Sequence, residues 1–375
     1  MTYDSLSNKY QGFSFPQAEI ELNRTAFGVK NSHVVINEIH VENTCGFEAS
    51  VGRFRIYNVY NAETGKFDYE ALKKSLFLGA AMTIRLGYVD AMTTVFVGFV
   101  SSVDFCFEPD DMPYIEVVGM DVKGIMMASN YAKQLTAKSF GAAVREILNK
   151  TAYSNLKAGG GVTAVEVSDT PDSNAGENKA ATIEMVSESD YEFVVKAAKK
   201  FNFEFFVDSG KVYFRKAKSD TASLMELGVG TGIVSFRIGY SLTGIVETVE
   251  ARAMDPGTGK IITKKEKFSN NLSTSGKAKG LVGGSQKIYI DPSINSQQQA
   301  DARVAYLMET MSYRLGTLDC ECIGLPELAP GKFITVAGLG APADNQFYLT
   351  TVTHSYRSET GYRTRILGKA AEVKT

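Results

Sequence analysis

The hydrophobic period of this chain changes twice along its length, and that change limits the folds open to it more than any single motif. In the first third, apolar and polar residues alternate over short runs. Val34-Val35-Ile36-Asn37-Glu38-Ile39-His40-Val41-Glu42 is rich in β-branched residues, and Ala49, Val51, Phe54 and Ile56 continue the pattern over 47–57. Gly52, between Val51 and Arg53, marks a bulge or bend. Further strands are expected over 81–86, 94–105 and 114–118, and a short helix over 68–77, where Tyr69, Leu72 and Leu76 fall at helical spacing. Short period-two runs separated by turns indicate an antiparallel barrel or sandwich.

The middle third shifts to a helical period. Phe140, Val144, Ile147 and Leu148 share one face of a helix expected over 139–153. The glycine-rich stretch 157–161 breaks it, and 169–179 reads as a polar loop. Ser189 stands three residues before Glu192, a spacing that lets two side chains satisfy two free backbone N–H groups. Val194, Ala197, Ala198 and Phe201 then form an apolar stripe. Lys196, Lys199 and Lys200 lie toward the helix end, where positive charge suits the helix dipole. Phe203 to Val207, the turn Asp208-Ser209-Gly210 and the return Lys211-Val212-Tyr213-Phe214 add a hairpin, so this region is a small α+β module.

The last third returns to strands, expected over 233–238, 244–253, 260–268, 333–336, 347–354 and 362–367. The stretch 270–285, rich in Ser, Gly, Lys and Asn, reads as a mobile loop. A helix is expected over 296–313, with Ala300, Val304, Leu307 and Met311 as its core stripe. The two β regions resemble each other. Gly79 with Met82-Thr83-Ile84 parallels Gly331 with Ile334-Thr335-Val336. Phe99-Val100-Ser101-Ser102-Val103 parallels Tyr348-Leu349-Thr350-Thr351-Val352, and Val117-Val118-Gly119 parallels Ile366-Leu367-Gly368. The expected fold is mainly β with α+β insertions: two similar antiparallel β-barrel domains, 1–128 and 219–375, flank an α+β module at 129–218, with a loop and helix inserted around 255–318.

The 40 basic and 42 acidic residues leave a formal net charge of -2, which argues against a surface built mainly to grip nucleic acid. Cys320 and Cys322 lie two apart in a strand-like run and, with Cys45 and Cys106, match no zinc spacing or disulfide framework; they read as small buried side chains. His33, His40 and His354 sit in no metal-binding motif. Gly228-Val229-Gly230-Thr231-Gly232 lacks a dinucleotide-binding context and reads as a linker or turn. Asp255-Pro256-Gly257-Thr258-Gly259-Lys260 lacks the first glycine of a phosphate loop, has Ile261 in place of a Ser or Thr, and reads as a hairpin turn. The acid pair Asp110-Asp111 lies between prolines in a loop, while Glu188 and Asp190 open a helix where negative charge is favoured. No catalytic, cofactor-binding or metal-binding residue is assigned. The polar start Met1-Thr2-Tyr3-Asp4-Ser5 shows no signal peptide, and no apolar run reaches the roughly 18 residues of a membrane span, so folding in the cytoplasm is expected.

Four segments in order resemble the late-control-D or VgrG-like baseplate hub family of contractile tails. They are 35–57, ending in Arg53-Phe54-Arg55-Ile56-Tyr57; Val97-Gly98-Phe99-Val100-Ser101-Ser102-Val103; the run from Glu188-Ser189-Asp190 through Phe193 to Phe206; and Leu328-Ala329-Pro330-Gly331-Lys332-Phe333, followed by Tyr348, Val352, His354, Tyr362 and Thr364. The resemblance implies a structural, non-enzymatic hub without a spike portion, in which the two barrels are tube-like. Such a hub is a homotrimer, a symmetry adaptor joining a hexameric tail tube protein to a central spike protein beside other baseplate proteins. It has no sequence-specific nucleic acid partner, no membrane span and no cofactor. It is assembled in the bacterial cytoplasm and released by lysis as part of a phage, tailocin (bacteriocin) or other contractile injection system. A lumen that passes DNA should avoid dense positive charge. The rival reading is a tail-associated cell-wall (peptidoglycan) hydrolase, which needs a cleft with converging carboxylates. A carbohydrate-binding fibre tip is disfavoured by the absence of tryptophan.

Overall fold

The computed structural model describes residues 1–27, 34–109, 111–170, 183–255, 257–272 and 277–374. The expectations for His33, for Asp110, for Pro256 and for most of the 169–179 loop fall outside them. The chain opens with α1 (Tyr3–Lys9), whose Thr2 and Ser5 form a capping box. The first strands follow: β1 (Pro16–Leu22), β2 (Thr25–Phe27), β3 (Val35–Thr44), β4 (Val51–Tyr57), the small pair β5 (Tyr60–Asn61) and β6 (Lys66–Phe67), then β7 (Ala81–Tyr88), β8 (Ala91–Cys106) and β9 (Tyr114–Met120). The helix expected over 68–77 does not form. The segment is a series of turns that still buries Leu72 and Leu76, so the apolar spacing was right and the hydrogen-bonding pattern was not.

The module holds α2 (Lys123–Met126), β10 (Tyr131–Leu135), α3 (Phe140–Leu148), α4 (Thr151–Gly159), β11 (Ala164–Val167), β12 (Ile183–Glu188), α5 (Asp190–Phe201), β13 (Phe203–Asp208) and β14 (Lys211–Lys216). The single helix expected over 139–153 is two: α3 ends at Asn149, and α4 restarts and runs to Gly160, whose φ of 97° caps it. The Ser189–Glu192 capping box is present, with backbone bonds of 3.1 and 2.7 Å. Ser209 and Gly210 both take positive φ, as a two-residue hairpin turn requires.

The last part holds β15 (Ser223–Val229), β16 (Gly232–Tyr240), β17 (Thr248–Met254), β18 (Ile261–Lys267), α6 (Lys277–Val282), β19 (Gln286–Ile290), α7 (Gln297–Ser312), β20 (Gly316–Ile323), β21 (Phe333–Val336), β22 (Asn345–Arg357) and β23 (Gly361–Ala370). The loop expected over 270–285 contains α6, which buries Ala278 and Val282 against the β17–β19 sheet and α7. The helix expected over 296–313 is α7, between its caps Ser296 and Tyr313.

One sheet runs β2-β1-β7-β8-β9-β4-β3-β22-β21-β15-β16-β20-β23, and a second pairing of β22 with β23 closes its last six strands into a barrel. The expectation of two similar antiparallel barrels needs correction on two points. The first set of strands remains an open array among the described residues, and β15 pairs in parallel with both β16 and β21. The strand orders nevertheless correspond: β1-β7-β8-β9-β4-β3 in the array, β15-β21-β22-β23-β20-β16 in the barrel.

The correspondence extends to single bonds. A bulge in β8 lies between the pairs Val100–Gly119 and Ser102–Val118, and one in β22 lies between Leu349–Gly368 and Thr351–Leu367. The skipped residue in each, Ser101 or Thr350, turns its hydroxyl back to donate to the carbonyl of Val118 at 3.0 Å or of Leu367 at 3.1 Å. Bulges are specific, localised features of pairing, and these two lie 249 residues apart, the spacing of the sequence repeat.

Array and barrel share one apolar cluster that includes Val41, Phe54, Phe347 and Ile366. A second cluster fills the module, and a third lies among β17, α6 and α7. The module is fastened to the barrel by a polar junction. Glu204 accepts from Arg215 at 2.7 Å and from the Tyr348 hydroxyl, while Arg215 also donates to the Gly331 carbonyl at 2.9 Å.

Candidate functional site

The array and the barrel meet where β3 lies antiparallel to β22, so one sheet face runs unbroken through β8, β9, β4, β3, β22, β23, β20 and β16. Successive side chains on a strand alternate between faces. One face therefore carries Ile39, Val41, Phe54, Val352 and Ile366 into the core, and the other carries His40, Glu42, Arg53, Thr353 and Arg365 outward.

That outer face is polar and laced with ion pairs across the strands. Arg365 reaches Asp319 through two nitrogens at 2.8 and 2.7 Å, and Arg357 reaches Glu38 at 3.2 and 2.8 Å. Arg55 bonds Glu116 at 3.0 Å and lies 3.8 Å from Glu38; Arg363 lies 3.8 Å from Glu321. The Arg365 hydrogen bond lowers the Asp319 pKa. At Glu38 burial acts upward, but the Arg357 hydrogen bond and charge outweigh it and the pKa falls. Arg55, Arg357, Arg363 and Arg365 are each matched by an acid, so positive charge on the face is largely balanced across the strands.

His40 and His354, the histidines among the described residues, do not converge. His40 lies on the polar face 3.4 Å from the Ser355 hydroxyl, and burial with the Arg53 charge lowers its pKa. His354 is inside the barrel, 2.8 Å from the Tyr362 hydroxyl and 3.3 Å from that of Thr364, and burial depresses its pKa to about 3. Among the described residues, no three His, Cys, Asp or Glu side chains are grouped to hold a metal ion. Cys320 and Cys322 are buried with sulfurs 3.6 Å apart. Gly228 to Gly232 forms the turn between β15 and β16. Asp255 and Lys260 close the β17–β18 hairpin with a 2.9 Å backbone bond. Glu188 pairs with Lys196, and Asp190 pairs with Lys150 and accepts from Tyr153 at 2.7 Å, so both acids are tied to the module. A groove of about 740 Å³ between the module and the β19–α7 segment, lined by Phe140, Tyr191, Lys196, Lys199 and Arg303, has Glu184, Glu192 and Asp291 as its acids.

The unbroken face could not be located from the sequence, although its signal was there: polar or charged residues at every second position, Glu38-His40-Glu42, Arg53-Arg55, Asp319-Glu321 and Arg363-Arg365.

The sequence matches, over residues 30–358, the family model described as the Alg8 N-terminal domain. No curated protein matches it. Among solved structures it is similar to the 43 kDa tail protein of prophage MuSo2 from Shewanella oneidensis. That match has a TM-score of 0.66 and 13% identity, over 94% of this chain and 98% of the other. The tail protein from Neisseria meningitidis MC58 matches at a TM-score of 0.65 and 12% identity, over 95% and 97% of the two chains. The E. coli c3393 protein is described as a component of the type VI secretion system with structural similarity to the T4 bacteriophage tail proteins gp27 and gp5. It matches at a TM-score of 0.56 and 12% identity, over 95% of this chain and 77% of that one. At these identities the likeness shows a shared fold.

Proposed function

Although the chain belongs to the family described as the Alg8 N-terminal domain, we propose from its tail-protein fold that it is a structural hub component of a tail or injection-device baseplate. The two kinds of comparison point in different directions. The fold likeness, which spans 94% of this chain and 98% of the MuSo2 tail protein, supports the structural reading. The observation that carries it is the polar face running through eight strands of one sheet, on which Arg55, Arg357, Arg363 and Arg365 are each paired with a carboxylate.

In this reading three copies form a ring whose lumen is lined by that face. Array and barrel alternate around it, so a three-fold assembly offers six related units to a hexameric tube and a three-fold face to a spike. A matched lumen lets a polyanion slide, because few unpaired cations remain to hold phosphate. The chain's role is then mechanical rather than catalytic. Domains at 1–128, 129–218 and 219–375 remain the proposed division.

The test is the mass of the purified protein by light scattering, alone and mixed with a tube protein encoded nearby. A trimer, or a single chain that becomes trimeric on the tube, is expected. A single chain that ignores the tube overturns the reading, and release of muropeptides from peptidoglycan would put a hydrolase in its place.

A further inference from the structure

Inside the chain, the junction between array and barrel is a short antiparallel pairing: Glu38 opposite Arg357, Ile39 opposite Tyr356, Val41 opposite His354. The internal repeat assigns each strand of this junction a counterpart. β22 maps onto β8, with Thr350 on Ser101 and the pair His354–Thr364 on Phe105–Ile115. β3 maps onto β16, because the row Val41–Gly52–Gly119 corresponds to the row Ile238–Leu318–Gly368.

Both counterparts have an open edge among the described residues. β8 pairs with β7 only as far as Phe99 and with β9 on its other side to Cys106, so one edge beyond Phe99 has no strand beside it. β16 pairs with β20 along its length, but with β15 only at Gly232 and Ile233. The exposed side chains fall where this correspondence puts them. Ile39 and His354, at the filled junction, are each 1% exposed. Phe236, the counterpart of Ile39, is 41% exposed; Phe105, the counterpart of His354, is 49% exposed; and Phe107, the counterpart of Tyr356, is 67% exposed. Unpaired strand edges with apolar side chains are sites for pairing with another chain.

Resting on the ring reading above, we propose that a second copy of this chain fills these edges, its residues 235–240 lying antiparallel to residues 103–108 of the first. The register repeats the internal junction: Phe105 opposite Ile238 and Phe107 opposite Phe236 of the neighbouring copy, all four on the core side. On the polar side Arg237 of the neighbouring copy sits opposite Cys106, between Asp104 and Glu108. Apolar residues thus meet apolar ones, and the cation falls between two acids. Each chain offers one edge of each kind, so the contact is head-to-tail and closes only as a ring.

The register supplies its own test, since Arg237→Cys places a thiol opposite Cys106 of the next copy. Mild oxidation with oxidised glutathione joins the two sulfurs; two electrons pass to the reagent, whose disulfide becomes two thiols. The expected result is a non-reducing gel ladder ending at three linked chains, abolished by adding Cys106→Ser. If light scattering shows a trimer but no such link forms, the junction is wrong while the ring reading stands. A wild-type chain that stays single alone and with the tube overturns both. As a second variant, Phe107→Asp is expected to give single chains with unchanged thermal unfolding; a trimer that survives it overturns the junction.

Discussion

Gly79 and Gly331 hold equivalent places in the two halves of the β structure. The Gly79 N–H donates to the Val100 carbonyl at 2.8 Å and the Gly331 N–H to the Leu349 carbonyl at 2.9 Å, with φ of 86° and 78°. Their surroundings differ. A Cβ on Gly79 meets nothing within 4 Å, whereas one on Gly331 falls 2.7 Å from the Phe206 ring that docks the module.

Gly79→Ala should therefore cost only the left-handed backbone penalty, about 1–2 kcal/mol. Gly331→Ala adds a clash with Phe206, for a total of about 2–5 kcal/mol. Urea unfolding of the two variants checks this; equal losses would show that Phe206 yields freely.

Lys123 is fully buried, 3.8 Å from the buried carboxylate of Asp121, and its ammonium also donates to the backbone carbonyls of Gly46 and Glu48. Burial drives the Lys123 pKa down and the Asp121 pKa up, each toward its neutral form. Removing one partner strands the other, so Lys123→Met should lose about 3–5 kcal/mol. The double variant with Asp121→Asn should recover part of that in the same unfolding measurement.

Stability should fall with acid in two windows. His354 has a folded pKa of about 3 against an ordinary 6.5, because burial penalises its charged form. Below 6.5 the unfolded chain takes up a proton that the folded chain refuses, so stability declines as pH drops from 6.5 toward 3. Glu250 is held at about 2, mainly by its Arg252 hydrogen bond, against an ordinary 4.5. Its contribution is complete above 4.5 and is lost as pH falls toward 2. Melting temperature against pH reads both windows: His354→Leu should flatten the upper one and Glu250→Gln the lower.

Ser189→Ala removes the cap of α5 and should cost about 1 kcal/mol. Arg365→Ala, despite its two short bonds to Asp319, should cost under about 1 kcal/mol, because both side chains are largely exposed and solvent screens the pair. A larger loss at Arg365 in thermal unfolding would mean that the polar face is held together by its charges.

Local features were legible along the chain. The β17–β18 and β22–β23 strand pairs, the α5 helix with its cap, the following hairpin and α7 lie close to where their periods put them, because each is fixed by bonds between near neighbours in sequence. Readings failed where tertiary packing overrode the local signal: the turns at 68–77 keep a helical apolar spacing, and α6 takes shape against α7 in a stretch whose composition suggests a mobile loop.

The sequence by itself determined the division into β, α+β and β regions, the repeat that places Ser101 opposite Thr350 in the comparison of halves, and the lack of a recognisable catalytic motif. Only the tertiary structure decided that β3 crosses to β22, that one half closes while the other stays open among the described residues, and that Phe105, Phe107 and Phe236 are exposed on edges with no strand beside them there. The physical reason is range. Ile39 and Tyr356 are more than three hundred residues apart, and whether an apolar residue on a strand is core or contact depends on which distant strand lies beside it.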